Sequence, residues 1–246
     1  MGQPRNAPRL RAVLLVTALV GALLTARTAE ALTPGGDATL TSDYIFRGIS
    51  ESAGDPALQL DLHVSSADGT FAGAFASTLR RIRHHGADDE LQEYLGHHFD
   101  LSPEWTTTLT LVNYSYLDSN LPFSDDYQEL SAALSYLDLW TVSVTASPNV
   151  PRYAGEYRLG RYTAYVTDAS AQVPLVGRLF ATAGLGHYTL NGPAGTSYVY
   201  GNAGLSFESG AWRIDAAYYV VQSRVQYLFP YGEARNRFAL TLSWHF

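Results

Sequence analysis

The chain of 246 residues contains no cysteine and no lysine, and after residue 31 it has no apolar run long enough for a membrane-spanning helix. Without cysteine there can be no disulfide, so the stability of the fold must come from backbone pairing and side-chain packing. A transmembrane helix needs about 20 consecutive apolar residues. Because the mean hydropathy is also close to neutral, a soluble periplasmic protein is the first alternative to consider.

The first 31 residues have the pattern of a secretory signal peptide. Arg5, Arg9 and Arg11 precede an apolar run from Ala12 to Leu24, and residues 29–31 offer a small-x-small cleavage site. The apolar run is shorter than the roughly 17 to 25 residues of a membrane anchor. We therefore expect a cleaved signal peptide and export by the secretory pathway of a Gram-negative bacterium.

Residues 32–246 are predicted to form one outer-membrane domain with a net negative charge. Twelve basic and 22 acidic residues remain once the four arginines and one glutamate of the signal are removed, a formal charge of −10. This balance argues against nucleic acid as a partner. No linker or low-complexity segment divides the domain, and its length suits one barrel or sandwich.

Alternation of apolar and polar residues predicts about twelve strands in this domain. Leu58, Leu60 and Leu62 share one face of the second strand, while Gln59 and Asp61 share the other. Most segments match the about 9 to 11 residues that a tilted transmembrane strand requires. The predicted segments are 38–48, 56–66, 70–78, 90–99, 105–116, 127–138, 139–148, 157–173, 178–190, 197–207, 211–222 and 237–246.

The predicted connections alternate between short turns and longer polar loops, which is the organisation of a transmembrane barrel. An even number of strands puts both termini on the short-turn, periplasmic rim. In hydrocarbon an open sheet edge would leave backbone groups unpaired, so the sheet must close. We therefore predict an all-β fold, a closed antiparallel transmembrane β-barrel of about 12 strands with meander topology.

Aromatic residues sort to the two ends of the predicted strands, as expected of interfacial girdles. A soluble sandwich would not send every tryptophan to one rim. The interface aromatics predicted at the periplasmic rim are Trp105, Trp140, Trp212, Trp244 and Phe246. Tyrosines predicted to form the opposite girdle include Tyr114, Tyr116, Tyr127, Tyr188, Tyr198, Tyr200, Tyr218 and Tyr219.

Two segments resemble known outer-membrane sequences. The last strand alternates strictly up to a terminal Phe246 and resembles the C-terminal signal recognised by the barrel-assembly machinery. Residues 42–52, Ser-Asp-Tyr-Ile-Phe-Arg-Gly-Ile-Ser-Glu-Ser, followed by Pro-Ala-Leu-Gln at 56–59, resemble the opening motif of the proteobacterial TorF family of porins. The resemblance is specific over residues 41–60 and implies a porin-like barrel. It carries over no substrate.

Polar residues on the inner face are candidates for lining an aqueous path. They are Asp43, Arg47, Gln59, Asp61, His63, Arg161, Arg213, Asp215 and Arg237. Asp43 and Arg47 share a face of the first predicted strand, so we expect them to pair across the lumen or to pass anions. The alternative is an interior closed by ion pairs, such as Arg213 with Asp215. Twelve strands lie between the filled eight-stranded and the open sixteen-stranded barrels.

The histidine pairs do not predict a metal site, and no cofactor is expected. His97 and His98 lie on a strand, where neighbours point to opposite faces. His84 and His85 lie among arginines in a predicted external loop, which suits lipopolysaccharide or solvent better than a metal.

The favoured function is an outer-membrane channel for passive diffusion of small polar solutes or ions, with no enzymatic activity. Its expected partners are outer-membrane lipid, lipopolysaccharide, the transported solutes and, during biogenesis, the barrel-assembly machinery. A barrel enzyme that acts on lipids remains an alternative, although no nucleophile motif surrounds any serine. A structural or adhesive barrel is a third possibility, for which the loops are short.

Overall fold

The computed structural model describes residues 32–80, 89–117, 125–154, 157–192, 195–227, 229 and 232–246. The predicted signal peptide and the pair His84 and His85 lie outside these residues. Within them, no helix is long and apolar enough to cross a membrane.

Twelve antiparallel strands form a closed barrel, in which each strand pairs with its barrel neighbours along the chain and the last pairs with the first. The predicted fold class is therefore confirmed. The barrel strands are β1 (Thr33–Thr41), β4 (Ala57–Ser65), β5 (Thr70–Thr78), β6 (Asp89–Asp100), β7 (Trp105–Leu117), β8 (Tyr127–Tyr136), β9 (Trp140–Ala154), β10 (Tyr157–Val176), β11 (Leu179–Leu190), β12 (Thr196–Ser209), β13 (Trp212–Val221) and β14 (Arg237–His245). Two further strands, β2 (Ile45–Phe46) and β3 (Ile49–Ser50), pair only with each other, and a 3-10 helix spans Ser223–Tyr227.

Side chains alternate between the outer surface and the interior because successive residues of a strand point to opposite faces. Leu58 and Leu62 of β4 are 61% and 51% exposed, and Val142 of β9 is 59% exposed. On β4, Gln59 and Asp61 face the interior, where Gln59 donates to Ser77 on β5 and Asp61 accepts from Tyr94 on β6. The outer surface is therefore apolar and the interior is polar.

The two ends of the barrel differ in the length of their connections. At one end, here called the short-turn end, tight turns join β4 to β5, β6 to β7, β8 to β9, β10 to β11 and β12 to β13. Gly69, Gly177 and Gly210 in three of these turns have positive φ, which glycine adopts without steric cost. The opposite end is called the long-loop end.

The first strand is shorter than its sequence pattern predicts. β1 ends at Thr41, whereas alternation predicted a strand that continues to Gly48. The chain instead leaves the wall, and residues 42–52 fold into a small unit built around β2 and β3, here called the inner hairpin. The physical reason is the turn between those strands, where Arg47 and Gly48 both have positive φ, a conformation that ends an extended strand.

The prediction of an outer girdle is wrong for at least half of the eight tyrosines named for it. Tyr114, Tyr116, Tyr127 and Tyr198 are at most 8% exposed and pack inside the barrel. On β7, Tyr114 and Tyr116 have the opposite alternation phase to the exposed leucines 109 and 111, so these two tyrosines point to the lumen. Tyr218, at 51% exposed, does face outwards.

Candidate functional site

The inner hairpin is a tight reverse turn placed inside the barrel. Ile45 pairs with Ser50 and Phe46 with Ile49, so that only two residues connect the strands. Positive φ at both connecting residues, 51° at Arg47 and 78° at Gly48, is the requirement of a type I′ hairpin turn.

Asp43 is the buried acceptor around which the inner hairpin folds. Its carboxylate accepts hydrogen bonds from the hydroxyls of Ser50 at 2.5 Å and Ser52 at 3.1 Å. It also accepts one from Arg237 Nη1 at 2.5 Å, and the side chains of the ion pair are only 16% and 6% exposed. Since Arg237 begins β14, this ion pair fixes the base of the hairpin to the wall.

Arg47 fixes the tip of the inner hairpin to another part of the wall. Its guanidinium donates to both carboxylate oxygens of Glu129 on β8, at 2.7 and 2.8 Å, and the Tyr114 hydroxyl donates to the same carboxylate at 3.3 Å. Burial opposes the charge of Arg47, but the hydrogen bonds to Glu129 and its negative charge outweigh this and raise the pKa of Arg47 well above its usual value. Bidentate geometry makes this one of the stronger classes of ion pair.

Contacts with many wall strands show that the inner hairpin crosses the lumen. The Tyr44 ring lies 6.3 Å from Phe75 on β5, and the Phe46 ring lies 6.1 Å from Tyr114 on β7. A Cβ built on Gly48 would lie 2.7 Å from Cβ of Tyr200 on β12. Further contacts join the Arg47 guanidinium to Tyr188 on β11, and Ile49 to Tyr198, Val221 and Val225. Only a segment inside the barrel can reach these strands together, and all the contacts lie towards the long-loop end.

Below the inner hairpin, Asp61 contacts Tyr94 and His63. The Tyr94 hydroxyl donates to both of its oxygens at 2.9 and 2.8 Å, and Nδ1 of His63 lies 2.8 Å from Oδ1. Tyr94 reaches across Gly73, where a Cβ would lie 2.5 Å from the hydroxyl. Asp37 on β1 pairs with Asp61 in register and contacts His245 on β14.

Asp168 on β10 is held in the same way. The Tyr200 hydroxyl donates to its Oδ1 at 2.5 Å, crossing Gly186, where a Cβ would lie 2.2 Å from the ring. In both places glycine leaves the room that lets a tyrosine lie along the wall and orient a carboxylate.

Arg213 carries an inward guanidinium towards the short-turn end. It forms the ion pair with Asp215 that their spacing predicts, at 2.9 to 3.1 Å, and also donates to Glu208 at 2.9 Å. Gln172 donates to Glu208 as well, at 3.3 Å. One arginine is thus shared by two carboxylates.

Three predicted site residues occupy places that the sequence analysis did not expect. Asp43 and Arg47 do not lie on β1, and each forms its ion pair with a wall residue, not with the other. Arg161 has the alternation phase of Tyr165, which is 52% exposed on the outer surface, and its Nη1 donates to the Asn149 carbonyl at 2.8 Å. The expectation that Arg161 lines the lumen is therefore wrong, because β10 keeps its alternation across the bulge opposite it on β9.

The signal for the inner hairpin was present in the sequence. Arg47-Gly48 stands between two pairs of strand-forming residues, which is the pattern of a two-residue hairpin. Its contact residues, Glu129 and the inward tyrosines, were missed because they come from distant strands.

The five predicted interface aromatics lie exposed at the short-turn end. The Trp105 ring lies 4.9 Å from that of Tyr136 in a tilted arrangement. Trp244 lies between Trp212 at 6.2 Å and Phe246 at 4.9 Å. Trp140 is 55% exposed on the same rim.

The outer surface carries one hydrogen-bonded row of polar side chains across β6 to β9. Asn113 donates to Glu93 at 3.0 Å and accepts from Gln128 at 2.5 Å, and Gln128 accepts from Asn149 at 2.6 Å. These residues share the outward phase of Leu111 and Leu130 and lie towards the long-loop end of those strands. Their polar groups are therefore satisfied by one another on a face that is otherwise apolar.

The histidine pair on β6 has the opposed orientation that strand geometry predicts. His97 contacts Thr70 and Phe99, whereas His98 contacts Thr108 and Phe71. In the described part of the chain, no three histidine or acidic side chains are grouped so as to hold a metal ion.

The sequence matches one family model over residues 25–241, that of a bacterial protein of unknown function, Gcw_chp. The chain belongs to this family. The match does not name the TorF family, so that resemblance stays a prediction. No curated protein has a sequence similar enough to match.

Solved structures similar to this one are outer-membrane porins. NanC porin has a TM-score of 0.54 at 10% identity, over 86% of this chain and 98% of that one. KdgM porin has a TM-score of 0.52 at 9% identity, over 86% and 99%, as does its complex with disordered oligogalacturonate. At such low identity the similarity shows the fold, a porin-like transmembrane barrel.

Proposed function

We propose that the protein is an outer-membrane channel through which small polar solutes or ions diffuse passively. The observation that supports this most is a closed barrel with an apolar outside, a polar inside and the fold of porins. In this proposal the residues before Leu32 are a cleaved signal, and the short-turn end faces the periplasm. The long-loop end then meets lipopolysaccharide.

The inner hairpin limits the size of the solutes in this proposal. It occupies the lumen towards the long-loop end and is fixed by the ion pairs Arg47–Glu129 and Asp43–Arg237. A narrow path around a fixed obstruction suits ions and small polar molecules.

The same hairpin favours a second candidate, a structural barrel that is sealed by its own N-terminal segment. Both candidates share the fold and differ in a single measurable property, conduction. The channel has the additional support that side chains below the hairpin, such as Asp61 and Asp37, are partly exposed.

The test is the conductance of residues 32–246 refolded and inserted into planar bilayers. We expect discrete steps for the wild-type barrel. In a second variant, residues 45–50 are replaced by Gly-Gly, which can close the gap because Glu51 N already donates to Tyr44 O at 2.7 Å. Its unit conductance should rise about twofold or more as the obstruction is removed.

Folding of both proteins is checked by the difference in electrophoretic mobility between unheated and boiled samples. Steps only in the shortened variant would support the sealed barrel. Silence of both folded proteins would refute the channel. Release of fatty acids from the bilayer lipid would instead support the enzyme alternative.

A further inference from the structure

Charge is distributed unequally between the two halves of the lumen. Towards the long-loop end, the inner hairpin forms two ion pairs, Arg47 with Glu129 and Asp43 with Arg237. Their side chains are all at most 16% exposed. These charges are neutralised and shielded from a passing solute.

The short-turn half carries an excess of accessible carboxylates. Side-chain exposure is 19% for Asp61, 34% for Asp37, 29% for Asp215 and 40% for Glu208. Among the described wall strands, Arg213 is the inward-facing arginine in this half, and it is shared by the last two of these acids.

Two inward carboxylates, Asp61 and Asp168, are held by tyrosine hydroxyls, which do not cancel their charge. Asp61 and Asp168 accept hydrogen bonds from the hydroxyls of Tyr94 and Tyr200, which are neutral donors. The glycines beneath both tyrosines show that the wall is built to place these hydroxyls there.

We propose that the short-turn half of the lumen makes the channel selective for cations, so that small cationic solutes pass and acidic ones are held back. This rests on the proposed channel function. Fixed charges of one sign in a narrow, low-dielectric passage concentrate ions of the opposite sign. Oligogalacturonate, the acidic sugar bound in one KdgM structure, would meet repulsion in this lumen.

The experiment measures the reversal potential of single channels in a gradient of potassium chloride. We expect a permeability ratio of K⁺ to Cl⁻ of about 3 or more for the wild type. The double variant Asp61→Asn and Asp168→Asn should bring the ratio close to 1, because asparagine keeps an oxygen for each tyrosine hydroxyl and removes the charge.

Two control variants isolate the charge. Asp138→Asn makes the same chemical change in an exposed short turn, at φ 55°, which asparagine tolerates, and should leave the ratio unchanged. Tyr94→Phe removes a hydrogen bond but no charge, and should keep the preference for K⁺.

Each outcome decides between the two proposals. Conduction with no ion preference, or with a preference for Cl⁻, overturns cation selectivity and leaves the channel standing. A preference for K⁺ that survives the double variant overturns the assignment to these carboxylates. Absence of conduction in a folded barrel overturns the channel and the selectivity together.

Discussion

Arg47 shows how one side chain can fix a whole segment inside the barrel. Its partner Glu129 is 4% exposed, so removing the guanidinium leaves a buried carboxylate that keeps, among the described residues, the Tyr114 hydroxyl as a hydrogen-bond donor. Breaking one side of a buried ion pair costs about 3–5 kcal/mol, because the other charge stays desolvated. We therefore expect Arg47→Ala to loosen the inner hairpin.

The measurement for Arg47→Ala is amide hydrogen exchange of Ile45 to Ser50, which should become about 10²- to 10³-fold faster. Adding Glu129→Gln removes the unpaired charge and should restore part of the protection. Arg80→Ala is the matched control, since its pair with Asp55 is exposed and such pairs contribute little. Unchanged exchange in Arg47→Ala would contradict the assigned role.

Gly48 is required for two separate reasons, its backbone conformation and the closeness of the wall. Its φ is +78°, and an added Cβ would lie 2.7 Å from Tyr200 Cβ. Gly210 also has positive φ, +60°, but a Cβ there would meet nothing within 4 Å. Comparing alanine substitutions at the two glycines therefore distinguishes the cost of backbone strain from the cost of steric contact with the wall.

We expect Gly210→Ala to lower the free energy of unfolding by about 1–2 kcal/mol through strain alone. Gly48→Ala should lose about 1–3 kcal/mol more, from overpacking against Tyr200. Urea unfolding in detergent micelles measures both. Equal losses would show that the hairpin does not press against the wall.

At the scale of elements, the sequence predicts the wall of the barrel better than its contents. Period-two alternation fixes β4 and β9 because one face must be apolar along the whole strand. It fails for β1, where the alternating pattern continues past Thr41 into a segment that turns inwards. Local patterning cannot show this, since the inner hairpin is stabilised by partners such as Glu129, 82 positions away.

The sequence analysis placed the buried tyrosines on the wrong face of the barrel for a related reason. Their position at strand ends suggested a girdle, but their phase relative to Leu109 and Leu111 already placed Tyr114 and Tyr116 on the inner face. Where a segment fills the lumen, alternation phase predicts the orientation of a tyrosine better than its position at a strand end. The reason is that a segment buried in the lumen packs against inward-facing aromatic side chains, which an empty lumen does not need.

The row of polar side chains on β6 to β9 is predicted to stabilise the outer surface of the barrel. Asn113 joins Glu93 to Gln128 and also donates to Ser115, so Asn113→Leu leaves three polar side chains without this partner. Leaving a polar group unsatisfied away from water costs about 1–3 kcal/mol. We expect Asn113→Leu to lower stability by about that amount, although it makes the surface more apolar.

The matched control for Asn113→Leu is Thr107→Leu, which lies on the same face of β7 nearer the short-turn end. It should leave stability unchanged or raise it. Unfolding by urea from lipid vesicles compares the two variants. A stabilising Asn113→Leu would mean that the row has no structural role.

For the whole molecule, the wall of strands separates an apolar outer surface from a polar interior. Neighbouring residues of one strand therefore lie in opposite environments. Leu60 faces outwards at 42% exposed, and the residue before it, Gln59, faces the lumen and donates to Ser77. If lipid surrounds the barrel, a charge at Leu60, near the middle of β4, costs about 2–4 kcal/mol, whereas a charge inside meets water. Leu60→Arg should therefore fold poorly into vesicles and Gln59→Arg should fold well, as the yield of protease-resistant barrel would show. A soluble barrel predicts the reverse order, because Leu60 would face water and tolerate arginine while Gln59 would lie in the packed interior.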